Sequence, residues 1–164
     1  MIPGTTTSSA SPLIEADTIE LQIASNAAGL PTLEQLTCWA DAARLESGHS
    51  TIVIRIVDAD ESRQLNRDYR GKDKPTNVLS FPFEAPPGVP VEHLGDLVIC
   101  APVVEEEAAE QNKPPEAHWA HMVVHGVLHL QGLDHQNNAQ AEEMESLERQ
   151  ILAGLEYSDP YGDT

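Results

Sequence analysis

Three histidines, His125, His129 and His135, stand at i, i+4 and i+10 in the run His125-Gly-Val-Leu-His129-Leu-Gln-Gly132-Leu-Asp-His135. Residues four apart on a helix share one face, about one turn from each other, so His125 and His129 are spaced to grip a single ion. Gly132 supplies a residue type that commonly ends a helix in the left-handed conformation and lets the chain turn back, which brings His135 toward the same ion. Three neutral imidazoles leave one position open on a tetrahedral metal, the arrangement of a catalytic zinc rather than a sealed structural one. The pattern predicts metal-assisted hydrolysis, with one Zn2+ held by His125, His129 and His135.

The other histidines nearby fit this scheme less well. Taking His121, His125 and His129 together would ask one ion to span roughly 12 Å of helix axis at about 1.5 Å per residue. Zinc–nitrogen bonds are only about 2.0–2.1 Å long, so the third ligand must come from off the helix. His118 and His121 are read as packed imidazoles, each with a hydrogen-bond partner. Zinc peptidases with this spacing carry a glutamate general base after the first histidine, whereas this chain has Gly126. A glycine there predicts close backbone approach to a substrate or a neighbouring segment and disfavours a peptidase. Asp134 is the nearest carboxylate; its expected role is to orient a ligand imidazole or cap the turn, with general base as the minority alternative.

Charge distribution bears on the substrate. The formal net charge is −18 over 164 residues, which at first argues against nucleic acid. Five of the nine basic residues, however, are Arg63, Arg67, Arg70, Lys72 and Lys74, opposed locally only by Asp68 and Asp73. Much of the acidity lies in Glu105-Glu106-Glu107 and between Glu142 and Glu148, read as solvated helical faces. A basic segment beside a hydrolytic metal points to an anionic substrate, and the acidic remainder discourages non-specific RNA binding.

These residues need elements to position them. Ile19–Ile23 alternates as a half-buried strand, and Thr51–Val57 reads as a more buried one. Thr32 with Gln35, and Asp58 with Glu61, form capping-box patterns opening two helices, the second running to Arg70 and closed by Gly71. Arg63, Arg67 and Arg70 then share a face. Val78–Phe83 reads as a strand that Pro82 confines to an edge or strand end. Glu84–Leu94 reads as a loop ending at Gly95, followed by a strand over Asp96–Cys100. Pro102 starts a helix to about Gln111, Pro114-Pro115 start the histidine helix, and Met144, Leu147 and Ile151 pattern a last helix ended by Gly154. The expected fold is α+β, with a small sheet of four strands packed by about five helices and the zinc site at the C-terminal end of a central helix.

Length and composition suit one domain. Residues 1–15 are expected to form a flexible leader, Thr/Ser-rich from Met1 to Pro12 and without a secretory pattern, and 16–164 a single catalytic domain. Cys38 and Cys100, with no CxxC, suggest reduced thiols and a cytoplasmic location.

Three segments carry a resemblance: Arg70-Gly-Lys-Asp-Lys-Pro-Thr-Asn-Val-Leu-Ser-Phe-Pro82, Leu94-Gly-Asp-Leu-Val-Ile99 and the histidine run. In order and spacing the chain resembles the YbeY family from about Ile19 to Tyr161. The resemblance implies a zinc-dependent, single-strand-specific endoribonuclease of bacterial rRNA processing, notably 3′-end maturation of 16S rRNA, and of ribosome quality control. It also implies a mixed four-stranded sheet, zinc on His125, His129 and His135, and catalytic roles for Arg70 and His125. The implied partners are small-subunit ribosomal RNA, small-subunit ribosomal proteins and a ribosome-associated GTPase, with no membrane. Asn77, where many members have Asp, and Leu133, where an aromatic is frequent, depart from the pattern. Two alternatives stay open: a non-catalytic assembly factor with a structural zinc, and a zinc metallopeptidase.

Overall fold

The computed structural model describes residues 14–15, 18–45, 50–89, 92–134 and 136–161. The expected four strands are β2 (Ile19–Ala24), β3 (Thr51–Val57), β4 (Val78–Pro82) and β5 (His93–Cys100). A two-residue strand, β1 (Ile14–Glu15), adds an antiparallel edge to β2, so the sheet order is β1-β2-β3-β5-β4. Those two residues fall within the segment expected as leader, and their backbone pairs with Leu21 and Glu20; residues 1–13 of that segment lie outside the described residues. β2, β3 and β5 run parallel, and β4 returns antiparallel to β5. β4 is the outer strand on that side, which leaves Pro82 at the edge its missing donor requires.

Among the described residues five helices complete the fold: α1 (Leu33–Ala42), α2 (Ala59–Arg70), α3 (Ala101–Glu110), α4 (Pro115–Leu130) and α5 (Asn138–Gly154). The period of two in the strands divides their side chains between two layers. Ile52, Ile54 and Ile56 of β3, with Leu97 and Ile99 of β5, face the main core and are fully buried. Val57, Val98 and Cys100 face the other way and, with Leu65 and Leu79, form a small second core under α2. The main core is closed by α4, which packs on β4 and β5 and is itself covered by α1, α3 and α5. Eleven of its sixteen residues are buried, as expected of a helix apolar nearly all round.

Two boundaries differ from the sequence expectation. The Thr32–Gln35 capping box forms in full, but Asp58 makes no side-chain cap to α2. Asp58 instead accepts from the Ser25 hydroxyl and the Asn26 N–H, and Glu61 takes both ends of the Arg55 guanidinium at 2.6 and 3.0 Å. A charged fork against the sheet face outcompetes the backbone N–H for Glu61. The last strand also starts earlier, at His93 rather than Asp96. Gly95 lies inside it because a Cβ there would come within 2.6 Å of both Leu130 Cδ2 and the Phe81 carbonyl oxygen, at a φ of +155°.

Gly126 sets how close α4 lies to the sheet. A Cβ at this position would approach Leu97 Cδ2 to 2.8 Å and Val78 Cγ2 to 3.3 Å. Leu97 has no exposed surface and so little room to give way. Gly126→Ala should therefore destabilise the fold by about 1–2 kcal/mol in urea titration, the overpacking cost exceeding the roughly 1 kcal/mol that alanine gains in a helix.

Candidate active site

A cavity of about 690 Å3 opens between the C-terminal end of α2, the edge strand β4 and the histidine face of α4. Its walls include Arg70, Asn77, Ser80, His125, His129 and Asp134. The arginine and two of the three expected metal ligands, 55 and more residues apart in sequence, thus line one space. His135, the third expected ligand, lies outside the described residues. Among the described residues no three His, Cys, Asp or Glu side chains converge on one metal position.

Pairing and placement separate the basic residues. Arg63 makes a two-pronged bond to Asp73 at 2.8 and 3.0 Å, and Arg67 leans on Asp68 at 3.5 Å. Of the three arginines on α2, only Arg70 reaches the cavity. Its wall is fixed by two buried polar residues on the inner face of α2. Ser62 bonds both the carbonyl and the N–H of Thr76 at 3.0 Å, and Asn66 donates to the Lys74 carbonyl at 2.8 Å. The loop that follows α2 is held to it as a single unit.

The histidine wall is built around a residue the sequence reading misses. Glu148 of α5 has no exposed surface. Its Oε1 lies 2.9 Å from Nε2 of His121 and 3.1 Å from Nδ1 of His125, and Tyr161 donates its hydroxyl at 3.0 Å to Oε2. Burial alone would raise this carboxyl, but the bonds from His121 and His125 and their charge outweigh it and bring its pKa down to about 2. An ionised carboxylate only accepts, so His125 must present Nδ1–H to it, which leaves Nε2 as the nitrogen that carries the lone pair of the neutral ring. Such an orientation fits a histidine metal ligand. The ring of His129 follows one turn along, 6.2 Å between centroids, with Nε2 at 3.7 Å from Asp134 Oδ1.

His118 and His121 behave as packed imidazoles. His118 Nε2 bonds Glu107 at 2.9 Å, and burial lowers its pKa, which favours the neutral ring. The same Glu107 accepts from the Asn77 amide at 3.1 Å. An aspartate at this position could not donate and would set two carboxylates against each other, which accounts for asparagine here. Gly126 turns its missing side chain toward Leu97, so its reason is approach to the sheet, and a peptidase-type glutamate would point into the core rather than the cavity.

One sequence signal for Glu148 exists. Met144, Glu148 and Leu152 are the buried residues of α5, spaced four apart, so the glutamate lies on an apolar stripe within a run otherwise read as a solvated acidic face. Because this carboxylate's pKa falls on folding, its stabilisation is complete above the ordinary value of 4.5 and lost as pH drops toward about 2. Glu148→Ala should cost about 3 kcal/mol or more in chemical denaturation, by stranding two imidazoles and a hydroxyl. Glu148→Gln should cost less, while 15N spectra of His125 should show loss of the single Nδ1–H tautomer.

Two comparisons bear on this site. A family model described as endoribonuclease YbeY matches residues 17–156. The solution structure of TM1509 from Thermotoga maritima is 29% identical, with a TM-score of 0.54, over 87% of this chain and 99% of that one.

Proposed function

This chain belongs to the YbeY endoribonuclease family, an rRNA-processing family, and we propose that it is a zinc-dependent, single-strand-specific endoribonuclease that matures the 3′ end of 16S rRNA and serves ribosome quality control. The observation that carries this reading is the joint lining of one cavity by Arg70, His125 and His129, with His125 oriented from behind by Glu148. His125, His129 and His135 would hold one zinc ion. When bound, the metal supplies Lewis acidity at the phosphodiester.

The protein's own residues do the rest. Arg70 offers a planar fork that matches two oxygens of a phosphate and offsets the charge that grows on it during displacement. Glu148 keeps the His125 ring in one tautomer, so no reorientation is needed when substrate arrives. Asp134, whose Oδ1 lies 3.7 Å from His129 Nε2, would orient that imidazole or cap the turn, with general base as the alternative role. Tyr69 and β4 form the wall against which the strand would lie. The partners this function calls for are small-subunit rRNA, small-subunit ribosomal proteins and a ribosome-associated GTPase, in the cytoplasm. No helix among the described residues is long and apolar enough to cross a membrane.

Three outcomes test the proposal. Chelation should abolish cleavage of single-stranded RNA and added Zn2+ should restore it, with His129→Ala inactive under both conditions. Arg70→Ala should lower kcat/KM about 100-fold or more with the melting temperature unchanged, and Arg70→Lys should recover little because a point charge cannot replace the fork. Cells carrying Arg70→Ala should accumulate 16S precursor with unprocessed 3′ ends. A binding-only assembly factor would instead leave rRNA processing intact in a zinc-retaining, cleavage-dead variant.

A further inference from the structure

The chain has only seven aromatic residues, and their placement is uneven. Trp39 and Trp119 are buried, Tyr157 packs on Trp39, and Tyr161 bonds Glu148. The other three stand at the end of α2 and along or just past the edge strand β4. Tyr69 meets Phe81 edge-on at 5.4 Å, and both line the cavity. Phe83 follows Phe81 by two residues, just past the end of β4 and outside the cavity lining, and meets His93 at 5.7 Å. Tyr69 is 53% exposed and Phe83 40%.

Exposed rings beside an open sheet edge invite misassociation, and a soluble chain normally blunts such an edge. Here Tyr69 is left in place beside the one α2 arginine that lines the cavity, and Phe83 further along the same edge. Tyr69 and Arg70 are chain neighbours, so a flat π face and a guanidinium fork are offered side by side. A nucleotide carries the matching pair, a planar base and a phosphate. The nearby Lys72 and Lys74 are exposed cations in a chain otherwise acidic. This charge favours an anionic polymer over an apolar polypeptide at the same edge.

We propose that Tyr69 and Phe83 form a stacking platform that receives unpaired bases of the RNA strand next to the bond being cut. The inference rests on the reading of the cavity as an RNA-cleaving site and gives that site a physical basis for preferring single strands. Bases in a duplex are stacked on one another and offer no free face, whereas every unpaired base has one. Stacking is tolerant of sequence, so the platform selects strandedness rather than base identity.

The test uses the full-length zinc-loaded protein with labelled oligoribonucleotides of about a dozen residues, the length being set by the extent of single-strand sites. One is a single strand, one the same strand in a duplex, and one an abasic ribose-phosphate chain. Dissociation constants are read by anisotropy and cleavage by gel. Tyr69→Ala and Phe83→Ala should each weaken single-strand binding about tenfold, within the range seen when a stacking ring is removed. Tyr69→Phe should match the wild type. The abasic chain should bind all four proteins equally. Tyr69→Leu and Phe83→Leu, which keep bulk but lose the π face, should behave as the alanine variants do, with melting temperatures held near wild type. Equal losses on the abasic chain, or undiminished single-strand binding by both alanine variants, would overturn the platform; the latter would point to a polypeptide at this edge. If the wild type cleaves RNA and the alanine variants do so equally well, only the platform fails. If the wild type neither binds nor cleaves RNA, the reading of the cavity fails with it.

Discussion

A carboxylate with no access to water is the constraint around which the histidine wall is arranged. Glu148 cannot be left ionised in the core without donors, and the chain supplies three: two imidazoles of α4 and the Tyr161 hydroxyl. Each donor gives up freedom in return. His121 is committed to the carboxylate, His125 is fixed in one tautomer, and the segment after α5 is drawn back across the helix pair. Burial and the shared carboxylate also keep Tyr161 well above its ordinary pKa, so its hydroxyl remains a donor. What reads as one acidic side chain in a sequence of 27 acidic residues is the anchor of the wall that faces the cavity.

The second constraint is distance. α4 carries the histidines, and Gly126 lets it lie against Leu97 and Val78 more closely than any larger residue would allow. Gly95 performs the same service one layer over, where Leu130 and the Phe81 backbone converge. Both glycines fix how closely α4 lies against β4 and β5. The same packing shows why the spacing of a zinc peptidase does not bring its chemistry: the position that would hold the base faces a leucine.

Much of this was legible in the sequence where period and punctuation are strong. The isoleucines of β3 alternate, prolines open α3 and α4, Gly71 closes α2, and the corresponding elements appear within a residue or two. Arg70, His125 and His129 stand out in the sequence by motif rather than by local pattern, and the structure brings all three to one cavity. Other features were not legible because they depend on partners distant in sequence. Glu61 has the spacing of a cap but is claimed by Arg55 from a neighbouring strand. Gly95 has the look of a loop end, yet a side chain from α4 and a carbonyl from β4 make it a strand interior. Glu148 was hidden by its charge, since a carboxylate among carboxylates is read as solvated unless the stripe it lies on is counted.

The two cores of the sheet are very unequal, and this gives the cavity walls different mechanical characters. α4 is enclosed by the sheet and three helices, whereas α2 rests on a cluster of five buried residues and on its bonds to the loop after it. Local opening draws on the least-anchored unit first. Amide exchange should therefore release α2 with residues 71–77 as one foldon while α4 stays protected to the global limit. A cleft built this way is a fixed jaw and a yielding one: the histidine wall is held by the larger core, the arginine wall by the smaller.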